Sequence, residues 1–338
     1  MRFSRKTIIS VFFVIVAAIF ISTIELPYYV YKPGRADSLE TMVVVEDGYE
    51  SEGSMHLLTV TAMKATPLQY IVGKVKPFYE ITPIEAVRIE DETDEEYKQR
   101  QLYMMEESQN ASTIVAYEAA DADIEIIYNG AYVVNTVKNM PADDLLEPGD
   151  VIKLVDHIEL ETSNDLVEYI AQKEKGDVIT IKFERDNKEF TEDIEIVNFP
   201  NDEEQFGVGI QLTSNVEVHV DPKVEFSSGQ IGGPSAGLMF ALKIYDQLVE
   251  EDLTKGKKIA GTGQIDYEGN VLPIGGADKK VVAADREGSD VFFVPYEQGR
   301  EGSNYEEALQ AAEKIKTNMD IVPVDTFEEA LLYLENIE

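Results

Sequence analysis

The chain has 338 residues, room for about two domains, and 44% of them are hydrophobic, enough to bury a sizeable core. Its formal charge is −36, from 65 acidic and 29 basic residues. A polyanion of this kind repels nucleic acid and anionic lipid, whose binding rests on Lys and Arg, and the excess reads as a mutually repelling, solubilising surface. With no cysteine, disulfides and thiolate metal sites are excluded.

Arg2, Arg5 and Lys6 precede an uncharged apolar run at 7–24. That length is at the lower end of what spans a bilayer. The basic flank predicts a cytoplasmic tail at 1–6, a transmembrane anchor at 7–25 and an extracellular bulk beyond it. A cleaved signal peptide is the competing reading. The run ends Phe20-Ile-Ser-Thr-Ile-Glu25, with no small-x-small cleavage site, so the expectation is a single-pass protein of the cell membrane.

Residues 27–37 read as a juxtamembrane linker with a Pro33-Gly34 turn. Within 35–120, the β-branched runs Met42-Val-Val-Val45 and Leu57-Leu-Thr-Val-Thr61 predict strands on either side of a polar loop at 46–53. The stretch 94–120 contains neither Gly nor Pro and predicts a helix. The acidic run Glu90-Asp-Glu-Thr-Asp-Glu-Glu96 reads as a solvated loop rather than a Ca²⁺ site. No His-x-x-x-His or clustered His/carboxylate set occurs, so no metal is expected.

From 122 to 197 the order is strand (124–128), turn (Asn129-Gly130), strand (131–137), Pro148-Gly-Asp-Val-Ile152, helix (164–174, capped by Ser163 or Asn164) and two more strands (178–185, 189–196). This unit resembles a bacterial PDZ domain, most specifically at Pro148-Gly-Asp-Val-Ile152. The resemblance implies that Gly130, Ala131, Tyr132 and Val133 form the carboxylate-binding loop. There, backbone N–H groups receive a peptide C-terminus and the strand pairs with the peptide. Ala131-Tyr132 departs from the family's Gly-Leu-Gly-Phe type, and a module that only positions its neighbours is the alternative.

The remainder, 206–338, alternates helices (235–250, 277–287, 305–316) with strands (258–265, 291–295, 321–324). Gly288 ends the second helix, and Thr326-Phe-Glu-Glu329 is a capping box that opens a last one. This predicts an α/β (α+β) layout with a mixed sheet.

The sharpest local feature is Gly232-Gly-Pro-Ser-Ala-Gly237, which contains Gly-x-Ser-x-Gly. Such glycines let a chain turn tightly into a helix and leave the serine exposed among free N–H groups. Small-residue turns before helices are common, so the pattern alone does not make Ser235 a nucleophile. Chain order discriminates further. The histidines, His56, His157 and His219, all precede Ser235, which excludes the α/β-hydrolase order. A His, Asp, Ser order is formally open, with His219 the nearest in sequence. If histidine is not the base, lysine is the established substitute.

A second motif supplies one. Gly261-Thr-Gly-Gln-Ile-Asp-Tyr-Glu-Gly-Asn-Val-Leu-Pro-Ile-Gly-Gly-Ala-Asp-Lys-Lys280, together with Gly233-Pro-Ser-Ala-Gly237, resembles the proteolytic domain of the Lon family. The resemblance covers 232–338 strongly and the segment from 206 more loosely. It implies a Ser-Lys dyad of Ser235 and Lys280, with Thr262 hydrogen-bonded to the lysine and Gly233, Pro234 and Gly237 shaping the turn. It also implies that the PDZ-like, β-rich unit is inserted into the Lon-type fold, because the strands before Tyr70 resemble the start of such a domain. Lys280 falls in the first turn of a helix beside alanines, where apolar surroundings and the positive helix end lower an ammonium pKa. Lys279 stays the alternative, although Arg286 seven residues on predicts a solvated face for it. Many Lon proteins carry aspartate where Gly232 stands.

No Gly-x4-Gly-Lys-Ser/Thr occurs, so no nucleotide is expected. One apolar span, a PDZ-like unit and a Lon-type domain together resemble the surface Lon-like PDZ proteases of Gram-positive bacteria. That resemblance implies an ATP-independent serine endopeptidase for secreted peptides or membrane-tethered proteins, with no cofactor and no nucleic-acid partner. Lon-type domains often form rings, so a homo-oligomer is compatible. The competing function is a catalytically silent scaffold binding surface proteins, which the joint presence of Ser235, Lys280 and Thr262 disfavours.

Overall fold

The computed structural model describes residues 5, 9, 11, 12, 15, 21–89, 92–200 and 202–337. The chain divides into two compact units, Met1–Ala122 with Pro222–Glu338, and Asp123–Asp221. The single-pass membrane placement is corrected. Among the described residues no helix is long and apolar enough to cross a membrane, and most of 7–25 lies outside the described residues.

The first unit opens with β1 (Tyr28–Ser38), β2 (Val43–Val45), β3 (Ser54–Lys64), α1 (Pro67–Val75), β4 (Glu80–Pro83) and α2 (Asp94–Ala119). The second unit follows as β5 (Asp123–Thr136), β6 (Val151–Val155), β7 (Ile158–Glu159), α3 (Ser163–Ala171), β8 (Val178–Arg185), β9 (Lys188–Glu195), β10 (Val197–Phe199), β11 (Asp202–Gly207) and β12 (Ile210–Asp221). The chain then completes the first unit with β13 (Val224–Phe226), α4 (Gly237–Leu248), β14 (Lys258–Gly261), β15 (Gln264–Ile265) and β16 (Val271–Leu272). The last elements are α5 (Ala277–Glu287), β17 (Val291–Pro295), α6 (Asn304–Ile315), β18 (Asp320–Val324) and α7 (Phe327–Asn336).

The main sheet of the first unit has the order β18-β17-β14-β3-β1-β4. It is mixed: β14 runs parallel to β3 and β17, while β1 is antiparallel to β3 and β4. Every residue of β17, Val-Phe-Phe-Val-Pro, is buried, as expected of a parallel strand covered on both faces. Alanines let α5 and α6 approach it closely, in a core that joins Ala277, Val281 and Ala308 to Phe292 and Val294. α4 is the central helix, with ten of its twelve residues buried. It carries a buried Lys243–Asp246 ion pair at 3.1 Å.

Residues 27–37 are not a linker. They form β1, and Pro33-Gly34 sit at a bulge where the register passes from Pro33↔Val60 to Ala36↔Leu58. A bulge tolerates a residue with no N–H to donate. Gly34 is needed there because a Cβ would fall 2.3 Å from the Thr59 carbonyl oxygen. α2 starts at the capping box of Thr93 and Glu96.

The second unit is an antiparallel sheet, β12-β5-β6-β8-β9, with β7 beside β6. Val133, Ile152, Leu166, Ile181 and Phe183 lie in its core. The Asn129-Gly130 pair is a bulge inside one continuous strand rather than a turn. β5 pairs Ala131 with Ser214 and Tyr128 with Val216, leaving both residues opposite Asn215. Gly130 has a φ of +92°, and a Cβ would meet the Ile152 carbonyl oxygen at 2.3 Å. The unit extends past 197 to Asp221 because β12 supplies the strand next to β5, with Asp221 paired to Asp123 at the base. Asp150 is fully buried and receives Arg185 Nε at 2.6 Å and Nη2 at 2.7 Å. The N-cap of α3 is Thr162, whose N–H donates to the Asp165 carboxylate at 2.7 Å.

Candidate active site

The turn that carries Ser235 is wedged against α2. The Gly233 N–H donates to the Gln101 carbonyl at 2.8 Å, and Gly233 has a φ of +91°. At Gly232 a Cβ would fall 2.8 Å from Gln101 Cβ, so α2 occupies the space a side chain there would need. Gly237, the first residue of α4, has a similar constraint, because a Cβ would come within 2.9 Å of Ser108 Oγ and of the Ile265 nitrogen.

α5 starts after Gly276, a left-handed residue, and its first turn brings in Lys280, which is 2% exposed. Lys280 Nζ lies 2.6 Å from Ser235 Oγ and 2.7 Å from Thr262 Oγ1. Thr262 is fully buried. Its hydroxyl donates to the Ser235 carbonyl at 3.0 Å, so toward Lys280 it can only accept. Burial lowers the Lys280 pKa from its ordinary 10.5 to about 7, because the charged ammonium loses its hydration there.

Lys279 is not on a solvated face. It is 3% exposed, with Nζ 2.7 Å from a Glu80 carboxylate oxygen and 3.0 Å from Asp278. Burial opposes its charge, but these two carboxylates outweigh burial and its pKa is raised. The two adjacent lysines are thus driven in opposite directions.

The hydrogen bonds described for Ser235 and Lys280 involve no histidine. His56 is buried on β3, with Nδ1 unpartnered and Nε2 3.9 Å from Glu287. His157 is exposed in the turn after β6. His219, on β12 of the other unit, is exposed beside Glu217 at 3.1 Å. Among the described residues no cluster of His, Asp and Glu could hold a metal ion.

Ser235 and Lys280 open onto a cleft of about 710 Å³, whose walls include Thr59, Thr61, Met105, Ile231 and Pro273. β14 ends at Gly261, paired with Leu57, while β3 runs on through Lys64. The stretch of β3 along the cleft therefore extends beyond its parallel neighbour.

In the second unit, Gly130, Ala131, Tyr132 and Val133 do not offer a peptide edge. β5 is paired there on both sides, Ala131 with Ser214 and Ile152, and Tyr132 with Thr213 and Val151. Ala131 and Val133 are fully buried. β12 ends the sheet on the β5 side, as β9 does on the other, and the start of α3 is tied to β12, the Ser163 N–H donating to Ser214 Oγ at 3.1 Å. The glycine-alternating stretch Phe206-Gly-Val-Gly-Ile210 leads into β12, with Gly209 at a φ of +83°. That spacing was the available sequence signal for the sheet edge.

A hydroxyl at a helix start, bonded to a buried lysine driven toward neutrality, is the arrangement of serine hydrolases with a lysine base. Residues 187–335 match the Lon protease (S16) C-terminal proteolytic domain, and residues 101–196 match a PDZ domain. A Lon-type proteolytic domain supports a serine peptidase. Both matches cross the boundaries of the compact units, since α2 packs with the first unit while 187–221 belong to the second.

Among relatives, a Lon protease of Metamycoplasma arthritidis (strain 158L3-1) is 31% identical over 131 residues, 39% of this chain and 14% of that protein. The peroxisomal Lon protease homolog 2 of Caenorhabditis elegans is 33% identical over 130 residues, 38% of this chain and 15% of that protein. The chain thus spans a small part of the curated relatives it matches. Among solved structures, the PDZ domain of an SdrC-like protein from Listeria monocytogenes is 29% identical, with a TM-score of 0.24, covering 26% of this chain and 92% of that one.

Proposed function

We propose that this protein is an ATP-independent serine endopeptidase in which Ser235 is the nucleophile and Lys280 its general base. The observation that carries this reading is the 2.6 Å contact between Lys280 Nζ and Ser235 Oγ, with burial lowering the lysine pKa to about 7. Thr262 accepts one Lys280 N–H and leaves the amine lone pair for the Ser235 O–H. As Oγ attacks a peptide carbonyl, its proton passes to Nζ. The lysine returns that proton to the departing amine, and a water, deprotonated in turn, releases the acyl group.

The developing oxyanion needs N–H donors. The carbonyls of Pro234 and Ser235 are engaged by Ser108 Oγ, Thr262 Oγ1 and the Gly263 N–H, and the N–H groups of Ser235 and Ala236 are the donors we assign. A substrate in extended form would pair with β3 past the end of β14, across the cleft from Ser235. In the PDZ unit, the outer edge of β12 beside α3 takes the delivery role in place of 130–133.

The test is hydrolysis of an unstructured protein such as casein by the purified full chain, without nucleotide and with ATP and Mg²⁺. Cleavage that needs no nucleotide and disappears in Ser235→Ala and Lys280→Ala is expected. Cleavage that survives both substitutions, or that appears only with ATP, would sink the proposal.

A further inference from the structure

We infer that Ser108, on α2, is a positioning residue that sets the oxyanion-binding peptide of the Ser235 turn. The inference rests on the reading of Ser235 as nucleophile and deepens it. Ser108 is 3% exposed, and its hydroxyl donates to the Pro234 carbonyl at 3.0 Å. A trans peptide is planar, with its C=O and N–H pointing in opposite directions. Holding the Pro234 oxygen on α2 therefore turns the Ser235 N–H away from α2. The next peptide is held in the same way: the Ser235 carbonyl accepts from Thr262 Oγ1 at 3.0 Å and from the Gly263 N–H at 3.1 Å, which aims the Ser235–Ala236 N–H oppositely. Two consecutive peptides thus have anchored oxygens, and neither the Ser235 nor the Ala236 N–H has an acceptor among the described residues.

The neighbourhood shows why a serine is used here. Gly237 approaches so closely that a Cβ on it would meet Ser108 Oγ at 2.9 Å, so the hydroxyl sits directly against the start of α4. The Pro234 carbonyl receives a second donor, the Gly237 N–H, at a longer 3.3 Å. Without Ser108 that weaker bond alone would hold the peptide plane. Ser112, one turn further along α2, is an internal control. It is fully buried, with its hydroxyl 2.5 Å from the Ser108 carbonyl and 2.8 Å from the Gly237 carbonyl, so its single proton is shared between α2 and α4 and it makes no bond to the Pro234–Ser235 peptide.

The experiment compares wild type, Ser108→Ala, Ser108→Thr and Ser112→Ala as full chains. Steady-state peptide hydrolysis, affinity for a peptide boronate that forms a tetrahedral adduct, and crystal structures of wild type and Ser108→Ala are measured. Losing a direct oxyanion donor typically costs ~10²–10³ in kcat; a loosened one should cost Ser108→Ala about tenfold or more, with KM nearly unchanged. Boronate affinity should fall in parallel, Ser108→Thr should recover part of both, and the Pro234–Ser235 peptide should be rotated in the variant structure. Ser112→Ala should lower Tm without that kcat and boronate signature. An unmoved peptide plane in Ser108→Ala, or equal kinetic losses in Ser108→Ala and Ser112→Ala, would overturn the inference. If wild type itself neither cleaves peptide nor binds boronate, the peptidase reading has failed, while the peptide plane in the variant structure still decides the role of Ser108.

Discussion

Lys279 Nζ lies 2.7 Å from the carboxylate of Glu80 on β4, whereas Lys280, the next residue, has its pKa shifted by burial alone. One helical turn therefore presents a lysine held charged beside one pushed toward the neutral amine. Only the second has the lone pair that a general base needs near neutral pH.

Activity should depend on pH with the sign this predicts. The neutral amine is the active form, so kcat/KM should rise about tenfold per pH unit below the Lys280 pKa and level off above about 7. Lys280→Arg keeps a charge that does not dissociate in proteins and should be inactive at every pH. A rate profile from pH 5 to 9 checks both. Cleavage by Lys280→Arg at the wild-type rate would exclude the lysine base.

Lys280→Met should be inactive yet more stable than wild type. The folded-state pKa of Lys280 is depressed from 10.5 to about 7, so between those values the unfolded chain binds more protons and wild-type stability rises with pH. Below about 7 the full penalty is present, on the order of a few kcal/mol. The Tm advantage of Lys280→Met should be largest at pH 7 and below and should fade toward pH 10. A Tm difference independent of pH would contradict the buried-amine account.

Lys279→Ala should act on stability rather than on the chemistry. Because Glu80 is half exposed and can rehydrate, the loss should be about 1–3 kcal/mol, below the usual figure for breaking a fully buried pair. Tm should drop, while the midpoint of the pH–rate profile stays where wild type has it. A shifted midpoint would mean that Lys279 takes part in the proton transfer.

The two units of the chain should separate in their response to substitution. Val133 is fully buried in the second unit, so Val133→Lys should unfold that unit rather than probe peptide capture. Val167, 55% exposed on α3, is the surface site: Val167→Lys should leave the melting profile intact and weaken cleavage of a protein substrate more than that of a short peptide. Equal loss on both substrates would count against delivery by the β12 edge. His219→Ala, exposed on β12, should leave peptide hydrolysis unchanged.

The sequence by itself determined the elements whose signals are local. α5 runs Ala277–Glu287 to its left-handed Gly288 cap, β17 is Val291–Pro295, and Thr326 caps α7 through the Glu329 N–H, although the Glu329 carboxylate accepts from the Asp325 N–H and not from that of Thr326 as the capping box predicts. Each follows from residues within one turn or one strand of it. Only the tertiary structure decided what depends on contacts distant in sequence. Asn129-Gly130 has the composition of a hairpin turn, yet β12, some eighty residues later, pairs across it and makes it a bulge. Pro33-Gly34 likewise lies within a strand because β3 pairs with β1 on either side of it. Lys279 looked solvated from its helical spacing, but Glu80, 199 residues away in the chain, sits against it. Burial and charge pairing are set by whatever the fold brings alongside, so two neighbouring lysines with the same local surroundings take opposite protonation tendencies.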